Sequence, residues 1–164
     1  PSDAATALVA LDAQMVVRNT RGERSIAAED FFMEPSVDIT RMTVLDPGDL
    51  LVAIRLPGRW ENADFHFEKV ADRNSWDFAL ASVAAAFAMR EGTIEEARIV
   101  CGAVACTPRR LHSVERMLRG QARTEALAVR AGAMAADGAE PLSFNQFKIP
   151  LTENLVRRAV LGIT

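Results

Sequence analysis

The segment Asp64–Met89, DFHFEKVADRNSWDFALASVAAAFAM, constrains the fold more than any other part of the chain. It opens with alternation, which places Phe65, Phe67 and Lys69 on one face of a strand because side chains alternate with period two. It then crosses a polar loop rich in Arg, Asn and Trp. It ends in an almost wholly apolar run: from Phe78 to Met89 only Ser82 is polar, and seven of those twelve residues are Ala or Ser. A run of that length and alanine content predicts a helix buried on all sides with close backbone neighbours. Lys69 and Trp76 stand at the strand-to-helix junction, and loops held by rigid elements are where chemistry concentrates.

Around this segment the chain reads in two sections. Asp3 is expected to cap a short helix running to Leu11. Met15–Arg18 and Ser25–Ile26 flank Asn19-Thr20-Arg21-Gly22 as a hairpin, and Glu29–Phe32 reads as a helical turn that plugs two aromatics into a core. The second section starts near Asp46-Pro47-Gly48, a turn signal before the strand DLLVAIRLP, in which Leu50, Val52, Ile54 and Leu56 share a face. The Phe65–Ala71 strand and the apolar helix follow, and then a β-like stretch from Glu96 to Ala105. Helices are expected from Thr107 to Leu118 with Pro108 in its first turn, from Thr124 to Ala136, and after a Thr152 cap, with 141–150 irregular. Strands first and helices last give an α+β fold.

Composition narrows the function classes. Apolar residues make up 49% and charged residues 25% of the 164 residues, which is ordinary globular composition. A net charge of −3 with scattered basic residues gives no general attraction for nucleic acid. No apolar stretch approaches the roughly 20 residues of a membrane span, and no signal-peptide pattern opens the chain, which says little about compartment; a cytoplasmic setting is expected, with a periplasmic one as the alternative. The odd spacing of Cys101 and Cys106 points them to opposite faces of a sheet, so two buried, reduced thiols are expected. With only His66 and His112 and no ligand spacing, no metal site is assigned. The glycines are isolated, so neither a dinucleotide fingerprint nor a P-loop can be written, and no acid–base or nucleophile constellation emerges.

The single candidates each have an ordinary reading. A lone Lys is by default a solubilising charge on an edge strand, and a Trp at a helix start is a core anchor. Leu51 reads as a sheet residue and Asp3 as a cap. The alternative for Lys69 is a positive charge beside a cofactor ring or a phosphate, and for Trp76 a flat ring stacked beside a cofactor.

Four stretches in order weigh toward the alternative: PSDAATALVALDA with GERSIAAEDFF, then LDPGDLLVAIRLP, then FEKVADRNSWDFALASVAAAF, then ARIVCGAVACTPRR followed by SFNQFKIPLTENLVRRAVL. Together they resemble the C-terminal portion of the FAD-binding medium subunit of molybdenum hydroxylases, the family of xanthine dehydrogenase, aldehyde oxidoreductase and the CO dehydrogenase flavoprotein. The junction itself is similar to the family's K-x-x-x-R-x-S-W-D-F-A pattern. The resemblance implies the tail of a flavin-binding domain over 1–43 and, over 44–164, a small antiparallel sheet packed on a three-helix layer.

It further implies a part in an electron-transfer subunit, in which FAD relays electrons between iron–sulfur clusters and an external acceptor. Those clusters would sit on an iron–sulfur small subunit and the molybdenum cofactor on a molybdopterin-binding large subunit. Residue by residue, Asp3 matches an acid at the flavin's ribityl or phosphate region, Leu51 an apolar residue packed on the ring, Lys69 a basic residue near the ring, and Trp76, Asp77 and Phe78 the loop that shapes access. The family's A-G-G-T-D/E-L loop and Gly-Asn segment, whose backbone N–H groups hold the pyrophosphate, are absent. The resemblance therefore implies one wall of an FAD site, with the N-terminal part of the FAD domain as a missing partner. A flavin-free interaction module with the same fold is the rival expectation.

Overall fold

The computed structural model describes residues 2–162; Pro1, Ile163 and Thr164 lie outside the described residues. The first helix, α1 (Asp3–Ala10), is capped by Ser2 rather than by Asp3: the Ser2 hydroxyl accepts the Ala5 N–H at 3.2 Å. Asp3 instead occupies the first turn, where a carboxylate meets the positive end of the helix dipole. β1 (Gln14–Asn19) and β2 (Gly22–Ala27) form the expected hairpin, closed by the Asn19–Gly22 pair. A helical turn at Ala28–Asp30 then buries Phe31. β3 (Leu50–Arg55) returns to pair with β1, giving a three-stranded sheet of order β2-β1-β3. The strand that the turn signal opened thus hydrogen-bonds within the first section.

The second sheet contains β4 (Asp64–Val70), β5 (Ala81–Arg90), β6 (Thr93–Gly102) and β7 (Arg109–Arg110), antiparallel and in chain order. Three helices cover one face: α2 (His112–Leu118), α3 (Glu125–Ala135) and α4 (Lys148–Leu161). This is the α+β arrangement of a small antiparallel sheet on a three-helix layer. Among the described residues no helix is long and apolar enough to cross a membrane.

The expected helix over 78–89 is the central strand β5. Its alanines favour helix locally, but β4 and β6 hydrogen-bond to it on both sides, and that tertiary pairing overrides a propensity of a few tenths of a kcal/mol per residue. Val83, Ala85 and Phe87 face the helix layer, while Ala84 faces the core under α1. A strand covered on both faces is apolar throughout, so it has the composition of a buried helix. The small side chains do mark a close approach. Gly102 lies opposite Ser82, and a Cβ there would collide with the Ser82 and Thr6 hydroxyls, so α1 rests almost directly on the sheet. Gly132 of α3 plays the same part against the Glu153 carbonyl of α4.

Other boundaries move for local reasons. Arg109–Arg110 pair with β6 before α2 begins at His112, so Thr107-Pro108 opens a strand and not a helix. α4 starts at Lys148, ahead of the expected Thr152 cap; Pro150 falls in its first turn, where a missing N–H is harmless, and Thr152 is buried within the helix. Thr124 does cap α3, accepting the Leu127 N–H at 3.2 Å. Both cysteines are free, but only Cys101 is buried, where desolvation pushes its thiol up to about 12 against the opposing pull of Arg109. Cys106 is exposed, because its segment has left the sheet.

One polar knot joins the two sheets. Asp12, just after α1 and at φ 49°, accepts from the Arg59 guanidinium, from the Trp60 indole N–H at 3.0 Å and from Arg98 Nε at 3.0 Å. Burial pushes its carboxyl up, but the two arginines outweigh that and hold it below the usual carboxylate range. Trp60 is buried, with both guanidinium groups lying over its ring at 5.1 and 5.4 Å.

Two predictions follow from this packing. Ala85 is buried between the helix layer and its neighbours Ile99 and His66, so Ala85→Leu should overpack the contact and cost about 1–3 kcal/mol, read as a lower urea midpoint. His66, on the α4-facing side of β4, is buried, and neither ring nitrogen has a hydrogen-bond partner. The Glu68 carboxylate lies 3.4 Å away but is bound by Arg158 at 2.9 Å. Burial foremost, with Arg158 assisting and Glu68 opposing, lowers the His66 pKa below its ordinary value. A lowered folded pKa means that stability is full above the unfolded value of roughly 6.5 and drains away as pH falls toward the folded one. His66→Leu should therefore flatten the loss of urea midpoint between pH 7.5 and pH 5 relative to the unmodified chain; an unchanged slope would exclude His66 as its source.

Candidate functional site

Alternation along β4 sorts its side chains into two environments. His66 and Glu68 face α4, whereas Phe65, Phe67 and Lys69 project from the opposite face, the side on which α1 lies. α1 packs over β5 and β6 and leaves Phe65 and Phe67 largely exposed. At the end of this row the Lys69 ammonium reaches the N-terminal turn of α1, where it donates to Asp3 Oδ2 at 2.7 Å. It also donates to the Asp77 carbonyl at 2.6 Å. Residues far apart in sequence thus meet at one cation.

The loop between β4 and β5 is built to hold a fixed shape. Its base is closed by the Leu80 N–H to the Val70 carbonyl at 2.7 Å. The Asp77 carboxylate accepts the Arg73 N–H at 3.0 Å and the Phe78 N–H at 2.9 Å, and the Arg73 guanidinium donates to the Trp76 carbonyl at 2.9 Å. These bonds hold Trp76 at φ 55°, a region that L-residues seldom occupy, with its side chain thrust into solvent at 96% exposure. A core anchor is therefore excluded. Trp76, Asp77 and Phe78 line an open cavity of about 330 Å³ together with Ser2 and Asp3.

Of the four residues singled out from sequence, the structure brings Asp3, Lys69 and Trp76 together. Leu51 lies elsewhere, on the exposed strand β3, and does not line this cavity. No local pattern signals that Asp3 and Lys69 form an ion pair across 66 positions, nor that Ser2 joins the cavity wall. The Arg73 and Asp77 spacing was a signal for a self-closed loop, because an Asp accepts readily from nearby backbone N–H groups. The donor set fits one wall of a flavin: an ammonium with one N–H unspent, a carboxylate, an exposed indole and an exposed phenyl ring. No group of three or more metal-ligating side chains occurs among the described residues.

Comparison with known proteins gives this architecture its class. Residues 66–163 match the CO dehydrogenase flavoprotein C-terminal domain, and residues 1–59 match the FAD binding domain in molybdopterin dehydrogenase. The chain therefore belongs to the family of FAD-binding medium subunits of the molybdenum hydroxylases. Relatives include the nicotine 6-hydroxylase medium subunit of Paenarthrobacter nicotinovorans, 28% identical over 94% of this chain and 53% of that protein. The FAD-binding subunit of aldehyde oxidoreductase from Escherichia coli K12 is 37% identical over 72% of this chain and 36% of its own length. Among solved structures, Cu,Mo-CO dehydrogenase superposes with a TM-score of 0.84 at 27% identity, over 96% of this chain and 55% of that one. Quinoline 2-oxidoreductase from Pseudomonas putida 86 gives 0.82 at 27% identity, over 96% and 54%. The match spans about half the length of three of these relatives and 36% of the Escherichia coli subunit.

The self-closed loop yields a direct test. Asp77→Ala removes the acceptor of two backbone N–H groups and frees Trp76 to leave the left-handed region. With 5-fluorotryptophan incorporated, the ¹⁹F resonance of solvent-exposed Trp76 should narrow as its backbone is released, while the linewidth of buried Trp60 stays the same. An unchanged Trp76 linewidth would mean that the loop is fixed by something other than Asp77.

Proposed function

We propose that this chain forms part of the FAD-containing electron-transfer subunit of a molybdenum hydroxylase. The observation that carries the reading is an open cavity lined by Ser2, Asp3, Trp76, Asp77 and Phe78, whose two sides the Lys69 ammonium ties together through Asp3 and the Asp77 carbonyl, on a fold shared with CO dehydrogenase over 96% of the chain. FAD, when bound, supplies the redox chemistry and passes electrons between iron–sulfur clusters and an external acceptor. The protein residues do the positioning. Lys69 offers a fixed positive charge to the ring and Trp76 limits access to its edge, while Leu51, on the exposed strand β3 and outside this cavity, is assigned to the ring's face on the family resemblance alone. The backbone cradle for the pyrophosphate belongs to the remaining part of the flavin domain, so this chain contributes one wall.

On this reading the portion up to Thr43 is the tail of the flavin-binding domain, and 44–164 is the C-terminal domain that docks the sister subunits. Those partners are a molybdopterin-binding large subunit, an iron–sulfur small subunit and the rest of the FAD domain. The similarity of the chain to medium subunits of carbon monoxide dehydrogenase and nicotine 6-hydroxylase supports this assignment.

The test is to express the chain alone and together with the polypeptide encoded immediately upstream of it. Passed through a desalting column with added FAD, the isolated chain should emerge colourless, because a single wall leaves most of the cofactor in water. The assembled protein should carry about one FAD. In it Lys69→Met should lower the flavin reduction potential, since a nearby cation favours the negative charge gained on reduction, whereas Trp76→Ala should alter acceptor turnover more than potential. A stable assembly without flavin would favour an interaction module; variants with unchanged potential and kinetics would remove Lys69 and Trp76 from the site.

A further inference from the structure

We infer that Asp3 is the counter-charge of Lys69, a positioning residue that sets how much of the lysine's positive field reaches a cofactor over the cavity. The inference rests on the flavin reading above but assigns Asp3 a role other than direct contact with the ribityl or phosphate region. Two observations carry it. The Asp3 carboxylate is 2.7 Å from the Lys69 ammonium, so the two charges form a dipole whose field falls off faster with distance than that of a lone cation. The ammonium also has an anchor independent of Asp3, the Asp77 carbonyl at 2.6 Å, which belongs to the self-closed loop.

The second anchor makes the arrangement asymmetric. When Asp3 loses its charge, Lys69 remains held by Asp77 and its field is uncovered. When Lys69 is removed, the Asp3 carboxylate is left in the first turn of α1 with no cation beside it among the described residues, and the local field turns negative. In the adjoining loop Arg73 and Asp77 compensate one another at 3.6 Å. Within this cluster, Asp3 is the acid in direct contact with the Lys69 cation.

The experiment is a redox cycle in the assembled flavoprotein, with FAD content and the reduction potential measured by equilibration against a dye of known potential. Asp3→Asn should raise the potential and Lys69→Met should lower it. The double variant should return toward the unmodified value, and Asp3→Glu, which keeps the charge, should stay close to it. Asp3→Ser, a good helix-start residue without charge, should match Asp3→Asn and so separates charge from any effect on α1. With FAD retained, an Asp3→Asn potential that is unchanged or lowered overturns the inference while leaving the flavin reading intact. An unmodified assembly that holds no FAD overturns both.

Discussion

The structure depends on the double burial of β5. A strand hydrogen-bonded on both edges and covered on both faces must satisfy its whole backbone within the sheet, which fixes β4 and β6 as neighbours and requires apolar cover above and below. Val83, Ala85 and Phe87 turn to α2–α4, and Ala84 turns to the core shared with α1 and the first sheet. The alanines are small for a reason. They let α1 lie close enough for its first turn to reach the edge strand, and that approach delivers Asp3 to Lys69. The site is a by-product of how closely one helix can rest on one strand.

The polar contacts divide into a joint and a presenting loop. Asp12, Arg59, Trp60 and Arg98 form the joint, in which a carboxylate between two guanidinium groups ties the end of α1 to β6 and to the connection before β4. Removing one partner from such a half-buried cluster leaves charge and an indole N–H unsatisfied, so its members act as a unit. The Arg73–Asp77 loop has no such core. Its order comes from hydrogen bonds among its own atoms, which is why it can hold an indole in solvent at a strained φ.

Much of this was legible in the sequence. Hairpin β1–β2, strand β4 and helix α3 each carried a local mark: turn residues at the right spacing, period-two alternation and a Thr cap. The candidate loop was legible as a polar break between two rigid elements, and a family resemblance gave weight to Lys69 and Trp76. What misled was β5, because alternation disappears when both faces are buried, leaving length and alanine content to suggest a helix. The Asp3–Lys69 pair was illegible for a different reason: it depends on where α1 lands, and no local pattern encodes a contact between a helix start and a strand 66 positions later. The short strand Arg109–Arg110 was hidden likewise, since two residues pairing with β6 leave no periodicity.

The hairpin between β5 and β6 has a consequence for how the chain assembles. Its turn is Glu91-Gly92, both at positive φ (50° and 78°), the backbone that tight hairpins favour, so two ten-residue strands meet at the entropic cost of a very short loop. β1, by contrast, meets β3 only after everything from Asn19 to Leu50 has been drawn closed. Joining β3 to β1 therefore costs more chain entropy than closing either of the tight hairpins, β1–β2 or β5–β6. α1 straddles both, with Val9 and Ala10 in a core that also contains Val17 from one sheet and Val100 from the other. Its docking draws on both sheets at once, and the same contact that unites their cores brings Ser2 and Asp3 to the cavity wall.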